Sequence, residues 1–260
     1  MTTRRRLLQA PLAAAALSSF GSSSALARPA RFELDDPVAA SFDHPERLES
    51  DRERDATRLP KRVLDFFDLK RGQVVADLMA GDGYYTELMS RAVGEGGRVY
   101  CQNTRIPLQV FADEPLTARL ADERLPNVER RDTEFEAVGI PEGLDMALLV
   151  RFYHDFGWQG VDRAQFNALV YRLLKPGGVF GVVDHIAAAG KGIEEGRRLH
   201  RVEPALVQSE LEEAGFVLEA ESYVLRDPAD TLDWNIFSAD EAGMRRDRTS
   251  RFVHLYRKPA

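Results

Sequence analysis

What this chain has least of is cysteine. Cys101 is the only one in 260 residues, so an internal disulfide framework and a cysteine-built zinc cluster are both excluded. It also lacks any block of Lys or Arg beyond its first few residues. With 42 Asp plus Glu against 35 Lys plus Arg, nucleic acid is not an expected partner. There are no internal repeats and no low-complexity tract after residue 27. What remains is an ordinary globular composition, 44% hydrophobic and 30% charged, at a length that suits one large α/β domain or two small ones.

The formal charge of −7 is unevenly placed: residues 1–27 carry three arginines and no acid, which leaves −10 on the rest. Thr3-Arg4-Arg5-Arg6-Leu7-Leu8-Gln9 leads into an Ala-rich stretch from Ala10 to Phe20, then into the small-residue site Ala25-Leu26-Ala27. Pro11, Ser18 and Ser19 interrupt the stretch, which is too short to span a bilayer comfortably. The segment resembles a bacterial twin-arginine signal peptide, the alternative being a frayed basic N-terminus. The resemblance implies export by the twin-arginine machinery and a mature chain that starts near Arg28 in the periplasm. Arg28, not a cysteine, stands directly after the small-residue site, so no lipoprotein anchor is expected.

Residues 28–59 read as an N-terminal arm and helix. The arm over 28–47, punctuated by Pro and Asp, is expected to be irregular, and the densely charged run from Glu49 to Arg58 suits a solvated helix. The domain proper is expected over 60–260. Pro60 opens a helix with Val63, Leu64, Phe66 and Phe67 on its apolar face. A βαβ pattern follows: a strand Val74–Leu78, a glycine-containing loop Met79–Gly83, a helix Tyr84–Val93 and a strand Arg98–Cys101. Val128–Arg131 and Leu144–Val150 read as further strands, and residues 160–174 as an amphipathic helix stopped by Lys175-Pro176-Gly177-Gly178. Val179–Val183, a helix from Pro204 to Gly215, and strands Phe216–Leu225 and Arg251–Tyr256 complete the series. Strands alternating with helices of this length imply one open, mostly parallel sheet covered on both faces.

Ligands in such sheets bind beyond the carboxyl ends of the strands. Asp77-Leu78-Met79-Ala80-Gly81-Asp82-Gly83 lies there, with a helix start behind it that favours a negative group. A dinucleotide fingerprint requires a third glycine, but Thr86 occupies its place. Three segments, VVADLMAGDGYYTELMSRAV, GGRVYCQN and LLKPGGVFGVVD, with the later EEAGF, occur instead in an order that resembles class I S-adenosylmethionine-dependent methyltransferases. The resemblance covers about four-fifths of the mature chain. It implies a single Rossmann-like domain with a mostly parallel seven-stranded sheet, an antiparallel C-terminal strand and helices on both faces.

The resemblance further implies S-adenosylmethionine as cofactor. Asp77 and the backbone of Ala80, Gly81 and Gly83 face its methionine end, Asn103 its ribose, and Asp132 its adenine, with Arg151 lining the same cleft. Two positions depart from the family pattern: Met79 stands for its first glycine, and Asn103 for an acidic residue. Asn offers the ribose hydroxyls one acceptor and one donor where a carboxylate accepts from both.

Arg151-Phe152-Tyr153-His154-Asp155 and Asp184-His185 follow the fourth and fifth strands, on the ligand edge. His154 is the first candidate for a base toward the acceptor and His185 the second, with Asp155 beside them. His200 is expected nearby. Asp155, Asp184 and His185 loosely resemble the ligands of metal-dependent O-methyltransferases, although their spacing fixes no metal. Structural hydrogen bonding is the competing account of all these pairs. The expected activity is methyl transfer to a small-molecule acceptor. A periplasmic nucleoside-binding module without catalysis and a metal-assisted enzyme are the alternatives, the first favoured by export away from the cytoplasmic methyl donor.

Overall fold

Asp36 and Pro37 show why the arm is not irregular throughout. The Asp36 carboxylate accepts from the Ala39 amide at 2.8 Å, and Pro37 fills the first helical position, where its missing N–H costs nothing. A short helix, α1 (Pro37–Phe42), therefore stands inside the expected arm. The computed structural model describes residues 36–240 and 243–260, so the leader expected over 1–27 lies outside the described residues.

The chain continues through α2 (Glu49–Arg58), α3 (Pro60–Phe66), β1 (Val74–Leu78), α4 (Tyr84–Val93) and β2 (Arg98–Asn103). A helical segment not foreseen from the sequence comes next: α5 (Arg105–Pro107), a π-helical turn (Leu108–Ala112) and α6 (Asp113–Leu120). Then follow β3 (Val128–Asp132), β4 (Leu144–Val150), α7 (Tyr153–Gln159), α8 (Arg163–Leu173) and β5 (Leu174–His185). The rest comprises α9 (Glu195–Leu199), α10 (Pro204–Glu213), β6 (Val217–Ser222), the small ribbon β7 (Ala239–Asp240) and β8 (Gly243–Met244), and β9 (Arg251–Arg257).

Seven strands form the main sheet in the order β3-β2-β1-β4-β5-β9-β6. The pairs from β3 to β5 are parallel, and β9 runs antiparallel between β5 and β6. The expected fold class is thus the observed one. Central strands β1 and β4 are buried on both faces, which matches their continuous apolar runs. On one face Val63, Leu64, Leu88 and Met89 pack against Val75 and Leu148. On the other, Phe156, Phe166, Val170 and Leu211 pack against Ala147 and Phe180. Asp36–Ala260 forms one compact unit.

Three local expectations need correction. Helix α8 begins at Arg163 rather than near residue 160, because Asp162 caps it by accepting from the Gln165 amide at 3.0 Å. The helix does end before Lys175–Gly178, but the strand expected over Val179–Val183 already includes that segment: β5 runs twelve residues, with an irregularity opposite Leu144 and Met146. Nor is α2 a simple solvated helix. Asp51 is buried and receives Arg119 at 2.6 Å, while Arg119 also reaches Glu87 on α4 at 2.6 Å. The charge run looked solvated because its partners lie far along the chain.

Candidate active site

The chain passes from β1 outward to β2 on one side and returns to β4 on the other, so β1 and β4 flank the switch in strand order. A cavity of about 180 Å³ opens there, between the loop Met79–Asp82 and the segment Val150–Phe152. Met79 and Arg151 both hold left-handed backbone conformations, φ +54° and +64°, at the ends of these strands. Each costs about 1 kcal/mol or more for a residue with a Cβ. Met79 occupies the place where the family pattern has glycine, and its positive φ is the reason glycine suits that place.

Of the expected cofactor residues, Asp77, Ala80, Gly81 and Arg151 line this one cavity. Asp77 is buried and accepts from the Thr86 hydroxyl at 2.6 Å. Burial pushes its carboxyl up to about 7, against the Thr86 hydrogen bond. Gly83, at φ +81°, caps α4; a Cβ there would meet Arg119 Cδ and Leu116 Cδ1 at 2.9 Å. Gly83 therefore serves the close seating of α6 under the loop. Tyr84 and Tyr85 form an edge-on pair at 5.1 Å beside the cavity, and the Tyr84 hydroxyl donates to Asp55 at 2.5 Å.

Two of the residues expected to face the cofactor stand elsewhere. Asn103 is fully buried at the end of β2, with both side-chain polar atoms engaged by one residue: its Oδ1 accepts from the Gly81 amide at 2.8 Å, and its Nδ2 donates to the Gly81 carbonyl at 3.1 Å. It clamps the loop rather than facing open space. Asp132 pairs with Arg130 at 2.7 Å and lines a second cavity, of about 420 Å³, with Arg105 and Glu134. Phe111 stands against the same loop, its Cε2 3.4 Å from where a Gly81 Cβ would stand.

The histidines gather behind the cavity. His154 Nδ1 lies 2.6 Å from Asp184 and its Nε2 3.1 Å from Asp155. Burial works against its charge, but the two carboxylates outweigh it and raise its pKa to about 9. His154 is therefore an imidazolium at neutral pH, with both nitrogens engaged. The base role expected of it does not follow from this arrangement. His185 is the opposite case: burial and the adjacent Arg151 keep it neutral. Arg151 Nε donates to its Nε2 at 3.2 Å, and its Nδ1 meets Thr249 Oγ1 at 2.7 Å, so it too has no free nitrogen. Asp155 accepts at one oxygen from His200 Nδ1 and Trp158 Nε1, both at 2.8 Å. The donor atoms of His154, Asp155 and His200 lie within 4.8 Å of one another, a different trio from the Asp155, Asp184 and His185 considered for a metal.

Sequence reasoning missed Arg54, Arg58 and Arg246, all of which line the cavity. Arg54 and Arg58 were present in the charged run of α2 at helical spacing, the one signal that could have placed them on one face. Of the aromatic residues that follow β4, Phe152 lines the cavity, Tyr153 and Phe156 belong to the core, and Trp158 is partly exposed. Cys101 is buried and free, as a small hydrophobe would be.

No family model matches the chain. The ubiquinone/menaquinone biosynthesis C-methyltransferase UbiE of Escherichia coli K12 is 32% identical over 123 residues, 46% of each chain. The matched segment thus spans about half the length of the curated relatives. A crystal structure of an S-adenosylmethionine-dependent methyltransferase from Aquifex aeolicus superposes with a TM-score of 0.55 at 21% identity, covering 80% of this chain and 95% of that one. The [4+2]-cyclase SpnF superposes with a TM-score of 0.57 at 17% identity, covering 79% and 81%. The fold is that of the class I methyltransferases, and the [4+2]-cyclase SpnF shares it.

Proposed function

We propose that the protein is an S-adenosylmethionine-dependent methyltransferase acting on a small-molecule acceptor that the sequence does not identify. One observation carries the reading. Asp77, the Met79–Gly81 backbone and the start of α4 converge on a cavity at the strand-order switch, and the related UbiE is itself named as a methyltransferase. These groups suit the methionine end of the donor, where Asp77 would accept from its ammonium. S-adenosylmethionine supplies an activated methyl group on a sulfonium. The chain's part is to hold and align donor and acceptor. Arg151 is fixed for this by His185 and by Asp247 at 3.0 Å. His154, charged and buried, ties α7 to the end of β5 through Asp184.

The Asn103–Gly81 clamp favours a second reading, a ligand-binding module on this fold without methyl transfer. A 180 Å³ cavity is smaller than the roughly 300–1,000 Å³ usual for ligand pockets. In the methyltransferase reading Asn103 must release Gly81 when the ribose enters. We also propose export to the periplasm through the twin-arginine machinery, supported by residues 1–27.

Native mass spectrometry of protein purified from both cytoplasm and periplasm tests these points. The expected result is one molecule of S-adenosylmethionine or its demethylated product per chain. No nucleoside in either sample, with no calorimetric binding at millimolar ligand, refutes the methyltransferase reading.

A further inference from the structure

The cavity holds more positive charge than a methyl donor needs. Arg54, Arg58, Arg151 and Arg246 all line it, brought from α2, the end of β4 and the turn before β9. Asp77 and Asp82 are the acids among its lining residues. Arg54 is neutralised by Asp51 and by Asp82 at 2.7 Å. Arg151 has one carboxylate partner, Asp247, and its Nη2 is buried without a hydrogen-bond partner. Arg58 and Arg246 make no ion pair and no side-chain hydrogen bond among the described residues. Each rests on a ring instead, Arg58 on Tyr84 at 4.5 Å and Arg246 on Phe237 at 5.0 Å, and their Nε atoms are likewise buried without partners. These like charges sense one another: after burial, Arg246 and Arg58 are the main influences holding Arg151 below its ordinary pKa.

Asp247 acts on Arg58, Arg151 and Arg246 together, one carboxylate against three guanidinium groups. A planar or tetrahedral oxyanion supplies the acceptors that their buried N–H groups lack. We propose that this cavity is an anion site, and that it binds a carboxylate or phosphate group carried by the acceptor. The anion site stands on the arginines alone; its assignment to an acceptor rests on the methyltransferase reading. The donor itself does not fill the need. S-adenosylmethionine has a carboxylate, but its ammonium and sulfonium give it net positive charge, so seating it adds to the excess. An acceptor whose reacting group is itself the bound anion has no proton to lose. That agrees with a site whose neighbouring histidines, His154 and His185, have both ring nitrogens engaged.

The test is calorimetric titration of the full chain with inorganic phosphate and with S-adenosylhomocysteine, separately and together. It is repeated with Arg58→Gln and Arg246→Gln, each variant also being melted without ligand. The expected result is one phosphate per chain, binding at least tenfold more weakly in each variant, and simultaneous binding of phosphate and S-adenosylhomocysteine. Both variants should melt at or above the wild-type temperature without phosphate, because a like charge beside Arg151 and its unpartnered buried N–H have been removed. Absence of phosphate binding, or equal binding by wild type and variants, overturns the anion site. Mutually exclusive binding of the two ligands gives the site to the donor's carboxylate and overturns the acceptor assignment. Phosphate binding without S-adenosylhomocysteine binding upholds the anion site and refutes the methyltransferase reading instead.

Discussion

Replacing Asn103 by Asp changes one atom, and two measurable quantities should move in opposite directions. In the wild type Oδ1 accepts from the Gly81 amide at 2.8 Å and Nδ2 donates to the Gly81 carbonyl at 3.1 Å, both fully buried. Aspartate keeps the first bond but sets a carboxylate oxygen against the Gly81 carbonyl. Leaving that buried carbonyl unpaired costs about 1–3 kcal/mol, which lowers the melting temperature of a chain this size by about 2–10 °C. The same change loosens the loop and presents a carboxylate that accepts from both ribose hydroxyls. A charged hydrogen bond gained there is worth about 1.5–3 kcal/mol, or roughly 10- to 100-fold in affinity. Differential scanning fluorimetry and calorimetry with S-adenosylhomocysteine read the two effects. Asn103→Ala is the control: it should destabilise the protein without tightening binding. If Asn103→Asp melts like the wild type, the clamp is not holding the loop. If its affinity falls, Asn103 already contacts the nucleoside and the closed loop is not the resting state of the site.

Two further outcomes follow from buried charge. His154 has its pKa raised from 6.5 to about 9, so its contribution is fully present below pH 6.5 and is lost as pH rises through about 9. The amount at stake is on the order of 3 kcal/mol. The melting temperature should therefore fall along this alkaline limb, and His154→Gln should flatten it; an unchanged limb in the variant refutes the ion-pair account. Arg201 is fully buried and held by Asp230 at 2.9 and 3.0 Å, by the Ile186 carbonyl at 3.0 Å and by the Trp234 carbonyl at 3.1 Å. Asp230→Ala strands that charge and should cost about 3–5 kcal/mol in urea unfolding, against less than about 1 kcal/mol if water replaces the carboxylate.

Val74–Leu78, Tyr84–Val93 and Leu144–Val150 were legible with their boundaries, because apolar run length and flanking glycines are local signals. The helical segment between β2 and β3 was not. Its large apolar pair Val110 and Phe111 is exposed, and its buried stripe, Ala112, Leu116 and Arg119, holds a single large apolar residue, so the core-facing pattern is weak, although Phe111 closes over Gly81. Asp77, Ala80, Gly81 and Arg151 come together at one cavity because strand ends and loops fix them directly. Asn103 and Asp132 were placed at strand ends, but the directions of their side chains depend on partners, Gly81 and Arg130, that no local pattern names.

By itself the sequence determined the fold class, the order of elements and the edge of the sheet where chemistry can occur. All three follow from periodicity and turn residues, whose influence reaches only a few positions along the chain. The tertiary structure decided everything that depends on charge meeting charge. It made His154 an imidazolium between Asp155 and Asp184, and it buried Asp51 against Arg119. It also brought Arg58 and Arg246, 188 residues apart, to one cavity beside Arg151. Coulomb energy and desolvation depend on distance in space, and that distance exists only once the chain is folded.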